Sequence, residues 1–75
     1  MISVPTEGRP TKPTTSEDLI GVDGNAFSIM GNTSGLLQRA GATKEFRDAY
    51  RKDAMSGDYD HLIAVSVAYL DCNEE

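Results

Sequence analysis

The residues with the most potential for chemistry lie in one short cluster, formed by Asp58, Tyr59, Asp60 and His61. A histidine beside two carboxylates could act as a general base that a carboxylate holds in one tautomer. The same residues also suit the start of a helix, with Asp58 as N-cap, Asp60 as a partner of the helix dipole and His61 as an ordinary polar position. We expect the helix start, and the sequence predicts no enzyme.

The sequence contains few residues that could bind a metal or a cofactor. The chain holds one His and one Cys, which match no zinc spacing, and the segment 58–60 lacks the glycine and distal glutamate of a calcium loop. No Gly-Lys-Ser/Thr sequence completes a phosphate loop. We therefore expect no metal and no cofactor, and we interpret Cys72 as an unpaired thiol in a reducing compartment.

The net charge of −5 is unevenly distributed along the chain. From Asp53 onward there are six acidic residues and no Lys or Arg. Such a segment repels phosphates, which disfavours nucleic acid as a partner of the whole chain. It favours a protein partner with a basic surface instead. The predicted partner-binding residues are Asp58, Asp60, Asp71, Glu74 and Glu75.

A basic segment gives the alternative, a nucleic-acid-associated accessory protein. Lys44, Arg47, Arg51 and Lys52 would contact backbone phosphates from one helix, as in a helix-turn-helix protein. However, the next helix would begin with carboxylates at the end that normally enters the major groove, where they meet base acceptors and phosphates unfavourably. A solvated basic face is the simpler interpretation.

Cap signals divide the rest of the chain into helices. Asn25 is expected to start a first helix that ends before Gly41. Gly31 and Gly35 would share one face of this helix, and each costs about 1 kcal/mol relative to Ala. Either the helix packs closely against a neighbour there or it breaks near residues 32–34. We favour a continuous helix.

A second, amphipathic helix is predicted from Lys44 to Ser56, with Thr43 as its N-cap and Gly57 as its terminator. Asp58 is then expected to cap a third element over residues 59–70. This element shows apolar residues at helical spacing and also β-branched residues at period 2. Its length favours a helix, because strands are usually shorter.

The first 18 residues contain Pro5, Pro10 and Pro13 among Thr and Ser residues. This composition buries too little apolar surface to offset the entropy of ordering, so the sequence predicts a flexible arm, followed by a small all-α, three-helix domain at residues 19–75. About 57 residues form a marginal core, since chains of that size bury about 60% of their unfolded surface. Self-association into a homo-oligomer could supply further burial.

No segment of the sequence is typical of membrane proteins. The longest uncharged run, Ala26 to Gln38, contains several polar residues and falls short of the ~20 apolar residues of a membrane span. The first residues lack the apolar core of a secretory signal. The sequence therefore predicts a protein of the cytoplasm.

Two blocks of sequence stand out, Asp23-Gly24-Asn25-Ala26-Phe27 with Ile29-Met30-Gly31, and Ser56-Gly57-Asp58-Tyr59-Asp60-His61-Leu62. They resemble a family of short, largely uncharacterised proteins from bacteriophages and integrated mobile elements. The likeness spans residues 19–71, and the proline-rich arm departs from it. The resemblance implies a phage product acting in the cytoplasm of a bacterial host. We expect a non-catalytic accessory protein that binds and modulates a host protein through an acidic surface.

Overall fold

The structure of the protein is a computed structural model, and it describes residues 2–72. Within these residues the chain forms a 3-10 turn, Ser16–Leu19, and the helices α1 (Ala26–Arg39), α2 (Lys44–Ala54) and α3 (Tyr59–Leu70), and it contains no strand. Each helix packs against the other two. The all-α, three-helix prediction is confirmed.

All three helices begin at the side chains that were predicted to cap them. The side-chain oxygen of Asn25 accepts a hydrogen bond from the backbone N–H of Phe27 at 2.8 Å. Thr43 caps α2 at 3.2 Å, and Asp58 caps α3 by accepting from the His61 N–H at 2.9 Å. Such caps satisfy N–H groups that have no partner within the helix.

The helix ends agree less uniformly with the sequence. Gly41 ends α1 with a φ of 95°, and the Ala42 N–H donates to the Leu37 carbonyl at 2.9 Å, as in a Schellman motif. By contrast, α2 ends at Ala54, two residues before the predicted Ser56. The physical reason is local: the Ser56 hydroxyl donates to the Asp53 carbonyl at 2.7 Å and replaces a further helical turn.

Residues 59–70 form a helix, which settles the question between helix and strand. The period-2 series is divided between environments, because Val65 and Tyr69 are buried while Val67 is exposed. The buried positions follow helical spacing: Leu62, Val65, Ser66, Tyr69 and Leu70.

The core is centred on Tyr69 of α3. Its ring lies edge-to-face against Phe46 and Tyr50 of α2, with ring centroids 5.2 Å and 5.3 Å apart. The Tyr50 hydroxyl is buried but satisfied, since it lies 2.7 Å from the hydroxyl of Ser66. Leu37 brings α1 into the same buried cluster.

The segment before the 3-10 turn differs from the freely flexible arm that its composition predicts. It has no regular secondary structure, yet it is held against the bundle by hydrogen bonds. The buried Thr14 hydroxyl donates to the Leu70 carbonyl at 2.6 Å, Arg9 donates to the Cys72 carbonyl at 3.3 Å, and the Thr11 N–H donates to the Ala40 carbonyl at 2.8 Å. Carbonyls at helix ends lack partners within the helix, and this segment supplies donors to them.

In residues 2–72, no helix combines the length and the apolar character needed to cross a membrane.

Candidate functional site

The sequence blocks at residues 23–31 and 56–62 meet at one end of the bundle. The first block contains the start of α1, and the second contains the turn from α2 into α3. The Tyr59 hydroxyl donates a hydrogen bond to the carbonyl of Gly24, which joins them directly. Residues 35 positions apart in the sequence thereby form one surface.

Between the blocks lies an open depression that we call the apolar groove. One part, of about 270 Å³, is lined mainly by Phe27, Met30, Met55 and Tyr59. An adjoining part, of about 400 Å³, shares the first three of these side chains and adds Gly31 and Arg51.

The groove owes its character to large apolar side chains that the fold leaves uncovered. Phe27 is 78% exposed, Met55 63% and Tyr59 45%. Scattered exposed apolar residues are ordinary, but a contiguous group of them is typical of an interaction site.

Three acidic residues lie at or next to one end of the groove, and we call Asp23, Asp58 and Asp60 the acidic rim. Asp58 lines the groove, and Asp60 lies in the same first turn of α3. Asp23 directly precedes Gly24, the residue that Tyr59 contacts. The ion pairs within residues 2–72 involve the carboxylates of Asp48 and Asp53. The rim carboxylates are therefore not neutralised by those pairs. Asp23 was not among the predicted residues, because the contact between Tyr59 and Gly24 that brings its segment to α3 is a tertiary one.

The other predicted acidic residues do not join this rim. Asp71 lies at the opposite end of α3, which has 12 residues and so spans about 18 Å. Its carboxylate accepts hydrogen bonds from the N–H and the hydroxyl of Ser16, at 2.8 Å and 2.9 Å. Glu74 and Glu75 lie outside the described residues. The structure thus brings Asp58 and Asp60 together and separates them from Asp71.

The predicted basic face of α2 is not uniform. Lys44 pairs with Asp48 at 2.9 Å. Arg47 is half-buried, and its Nε atom is buried without a hydrogen-bond partner among the described residues. Arg51 and Lys52 are exposed, and Arg51 lines the apolar groove rather than a surface of its own.

The histidine cluster has the geometry of a structural contact. His61 Nε2 lies 3.0 Å from the Asp53 carbonyl, 3.1 Å from the Asp53 carboxylate and 3.3 Å from the Ser56 hydroxyl. A serine–histidine–aspartate relay needs the serine and the carboxylate on different ring nitrogens, whereas here one nitrogen faces both. A Cβ at Gly57 would lie 2.8 Å from the His61 side chain, so glycine permits this close approach. His61 therefore fastens the end of α2 to the start of α3.

Other chemistry is sparse in the described part of the chain. Residues 2–72 contain no group of three or more His, Cys, Asp or Glu residues placed to hold a metal ion. Cys72 is buried and forms no disulfide.

Comparison of the chain with protein-family models, with curated proteins and with solved structures gives no match.

Proposed function

We propose that this protein is a non-catalytic accessory protein of phage or mobile-element origin that binds and modulates a host protein in the bacterial cytoplasm. The observation that carries the proposal is the acidic rim beside the exposed apolar groove. Protein interfaces commonly combine an apolar centre with a polar edge. The partner that this surface fits carries basic residues next to an apolar patch.

The rim and the groove would contribute different terms to binding. Burial of the apolar side chains supplies the favourable free energy. The carboxylates attract a basic surface and orient it before contact, which mainly raises the association rate. Salt screens that attraction, so binding should weaken as ionic strength rises.

The alternative function, nucleic-acid association through Lys44, Arg47, Arg51 and Lys52, has weaker support. One of these cations is already paired and another is half-buried. Phosphate contacts need several accessible cations, because counterion release sets the affinity. An electrophoretic mobility shift at low salt would test this alternative directly.

The proposal is tested by removing the rim charges without disturbing the helix cap. The double variant Asp58→Asn, Asp60→Asn keeps a capping oxygen at residue 58, because Asn caps helices as well as Asp. A matched control, Asp18→Asn with Glu45→Gln, removes two charges at exposed positions elsewhere. Each immobilised protein is exposed to host lysate at two salt concentrations, and the bound proteins are quantified by mass spectrometry.

We expect a specific basic host protein to be captured by the wild type and the control, less at high salt, and to be lost with the rim variant. If the rim variant captures it unchanged while neutralising Arg47, Arg51 and Lys52 abolishes capture, the acidic-rim proposal is wrong. The basic helix then becomes the binding site.

A further inference from the structure

A second depression lies between the 3-10 turn, α1 and α3, and we call it the second groove. It has a volume of about 320 Å³. Five apolar side chains line it: Leu19, Ile20, Ile29, Ile63 and Val67. None of the five lines either part of the apolar groove, so the two sites are separate.

The apolar side chains of the second groove run from the core to the surface. Ile29 is buried, and Leu19 and Ile63 pack partly buried against the core. Ile20 is 82% exposed and Val67 38%. Such a contiguous group of uncovered apolar side chains is typical of an interaction site.

The wall that the 3-10 turn provides is fixed to α3. Ser16 donates its N–H and its hydroxyl to the Asp71 carboxylate, at 2.8 Å and 2.9 Å. Just before it, the buried Thr14 hydroxyl donates to the Leu70 carbonyl. The second groove is therefore formed before any ligand arrives, and a preorganised site loses less conformational entropy on binding.

The charges at the second groove have one sign. Among residues 2–72, its lining includes one charged side chain, the carboxylate of Glu17, and no Lys or Arg. On α3, Asp60 stands one turn before Ile63, and Asp71 stands one turn after Val67. Residues three or four apart are neighbours on a helix surface, so carboxylates flank the apolar side chains at both ends.

We propose that the second groove binds a segment of a partner protein in which apolar side chains lie next to lysine or arginine. The apolar side chains of that segment contact Ile20 and Val67, and its cations meet Glu17 and Asp60. Electrostatic complementarity selects this occupant, because a surface of one sign attracts the opposite sign and repels its own copy. The carboxylates also repel the phosphates of a nucleic acid. This site is distinct from that of the proposed function and does not depend on it.

Nuclear magnetic resonance titration of the isotope-labelled full chain with synthetic peptides tests the inference. The probes are an amphipathic peptide of leucine and lysine, the same peptide with glutamate in place of lysine, and oligolysine. We expect the leucine–lysine peptide to shift the amide signals of Ile20, Ile63 and Val67. Its affinity at these signals should exceed that of each other peptide by about tenfold or more.

A double variant removes the apolar contacts of the second groove. Ile20→Ser with Val67→Thr should weaken the leucine–lysine peptide at the Ile63 signal by about tenfold. Phe27→Ser is the matched control, because Phe27 is 78% exposed and lines the apolar groove instead. Unchanged signals in the rest of the spectrum would show that each variant is folded.

A single variant removes the charge in the lining. Glu17→Gln should weaken the same peptide at low salt and lose this effect at high salt, because salt screens the attraction. Glu45→Gln, at an exposed position of α2, is the matched control and should change nothing at these signals.

The leucine–lysine peptide should also bind the apolar groove beside the acidic rim, and the signals separate the two sites. Those of Phe27, Met55 and Tyr59 report the apolar groove, and that of Ile63 reports the second groove. If only the apolar-groove signals move, or if the double variant binds as the wild type does, the second groove is not a binding site. The proposed function then stands unchanged.

The other peptides test the chemistry of the occupant. Equal binding of the glutamate peptide at Ile63 would overturn the selection by charge, and equal binding of oligolysine would overturn the need for apolar side chains. Failure of the acidic rim to capture a host protein would leave the Ile63 signal responsive to the leucine–lysine peptide. The second groove would then be the binding site of this protein.

Discussion

The buried hydroxyl groups of Thr33 and Ser66 differ in their hydrogen bonding. Both residues are fully buried. The Thr33 Oγ1 atom has no hydrogen-bond partner among the described residues. The Ser66 Oγ atom lies 2.7 Å from the Tyr50 hydroxyl and donates to the Leu62 carbonyl at 2.8 Å.

Thr33→Val should therefore stabilise the protein. Valine keeps the shape of threonine and removes an oxygen whose desolvation is not compensated. We expect the free energy of unfolding to rise by about 1 kcal/mol, measured by chemical denaturation. A lower stability would mean that the Thr33 hydroxyl has a partner.

Ser66→Ala should have the opposite effect, because it leaves the buried Tyr50 hydroxyl without its partner. We expect a loss of about 1–3 kcal/mol in the same denaturation experiment. The double variant Ser66→Ala, Tyr50→Phe removes both polar groups, and it should recover part of that loss. Failure of the double variant to recover would assign the effect to packing.

The buried phenol of Tyr69 should make the stability of the protein depend on pH in the alkaline range. Burial raises the pKa of the Tyr69 phenol above its ordinary value near 10. The negative charges of the Asp53 carboxylate and of the Cys72 thiolate raise this pKa further. The folded protein thus holds this proton more tightly than the unfolded chain. The resulting stability is complete below pH ~10 and is lost as pH rises through the folded-state pKa.

Tyr69→Phe, which retains the ring contacts with Phe46 and Tyr50, should lose less stability than the wild type when pH rises above about 10. Denaturation curves of the two proteins at neutral and alkaline pH measure the difference. Equal losses would show that Tyr69 does not contribute.

At the scale of elements, the sequence predicted features that depend on a few neighbouring residues. It did not predict contacts between residues that are distant in the sequence. Asn25, Thr43 and Asp58 could be identified because a cap acts within three residues of itself. The position of Asp58 and Asp60 at the start of α3 followed from the same signal. The groove could not be predicted, because hydrophobic periodicity shows which side of a helix is apolar and not how far its neighbours cover that side.

For the arm, too, the sequence did not reveal tertiary contacts, and here the result was a prediction of too little order. Composition argues only from apolar surface, and by that measure residues 1–18 cannot fold. The segment instead donates hydrogen bonds, such as that of the Thr14 hydroxyl, to carbonyls at the ends of α1 and α3. Amino-acid composition alone cannot predict where those carbonyls lie.

These contacts lead us to expect that the arm contributes to stability. Thr14→Val removes the hydrogen bond to the Leu70 carbonyl and should lower the melting temperature by roughly 4–8 °C if the bond is worth about 1 kcal/mol. Thr6→Val is the matched control at an exposed position of the same segment. Deletion of residues 1–15 should lower the melting temperature further. If deletion has no effect and limited proteolysis removes the segment readily, the arm is flexible as its composition predicts.

At the scale of the whole molecule, the arm affects overall size. The Cα radius of gyration is 10.9 Å, close to the ~11 Å expected for a compact chain of this length. Small-angle X-ray scattering of the protein at low concentration should therefore give a compact profile. A detached arm would instead produce a larger radius and a long tail in the distance distribution.

The bonds from the arm to the far end of α3 also have a consequence for biosynthesis. Arg9 and Thr14 bind the carbonyls of residues made 63 and 56 positions later. At a translation rate of about 5–20 residues per second, the ribosome delivers those carbonyls roughly 3–13 seconds after the arm. Helices and loops form within microseconds. The nascent arm therefore waits on synthesis rather than on folding, and from its emergence from the ribosome until those carbonyls arrive it is exposed to chaperones, proteases and any other protein that binds extended chain.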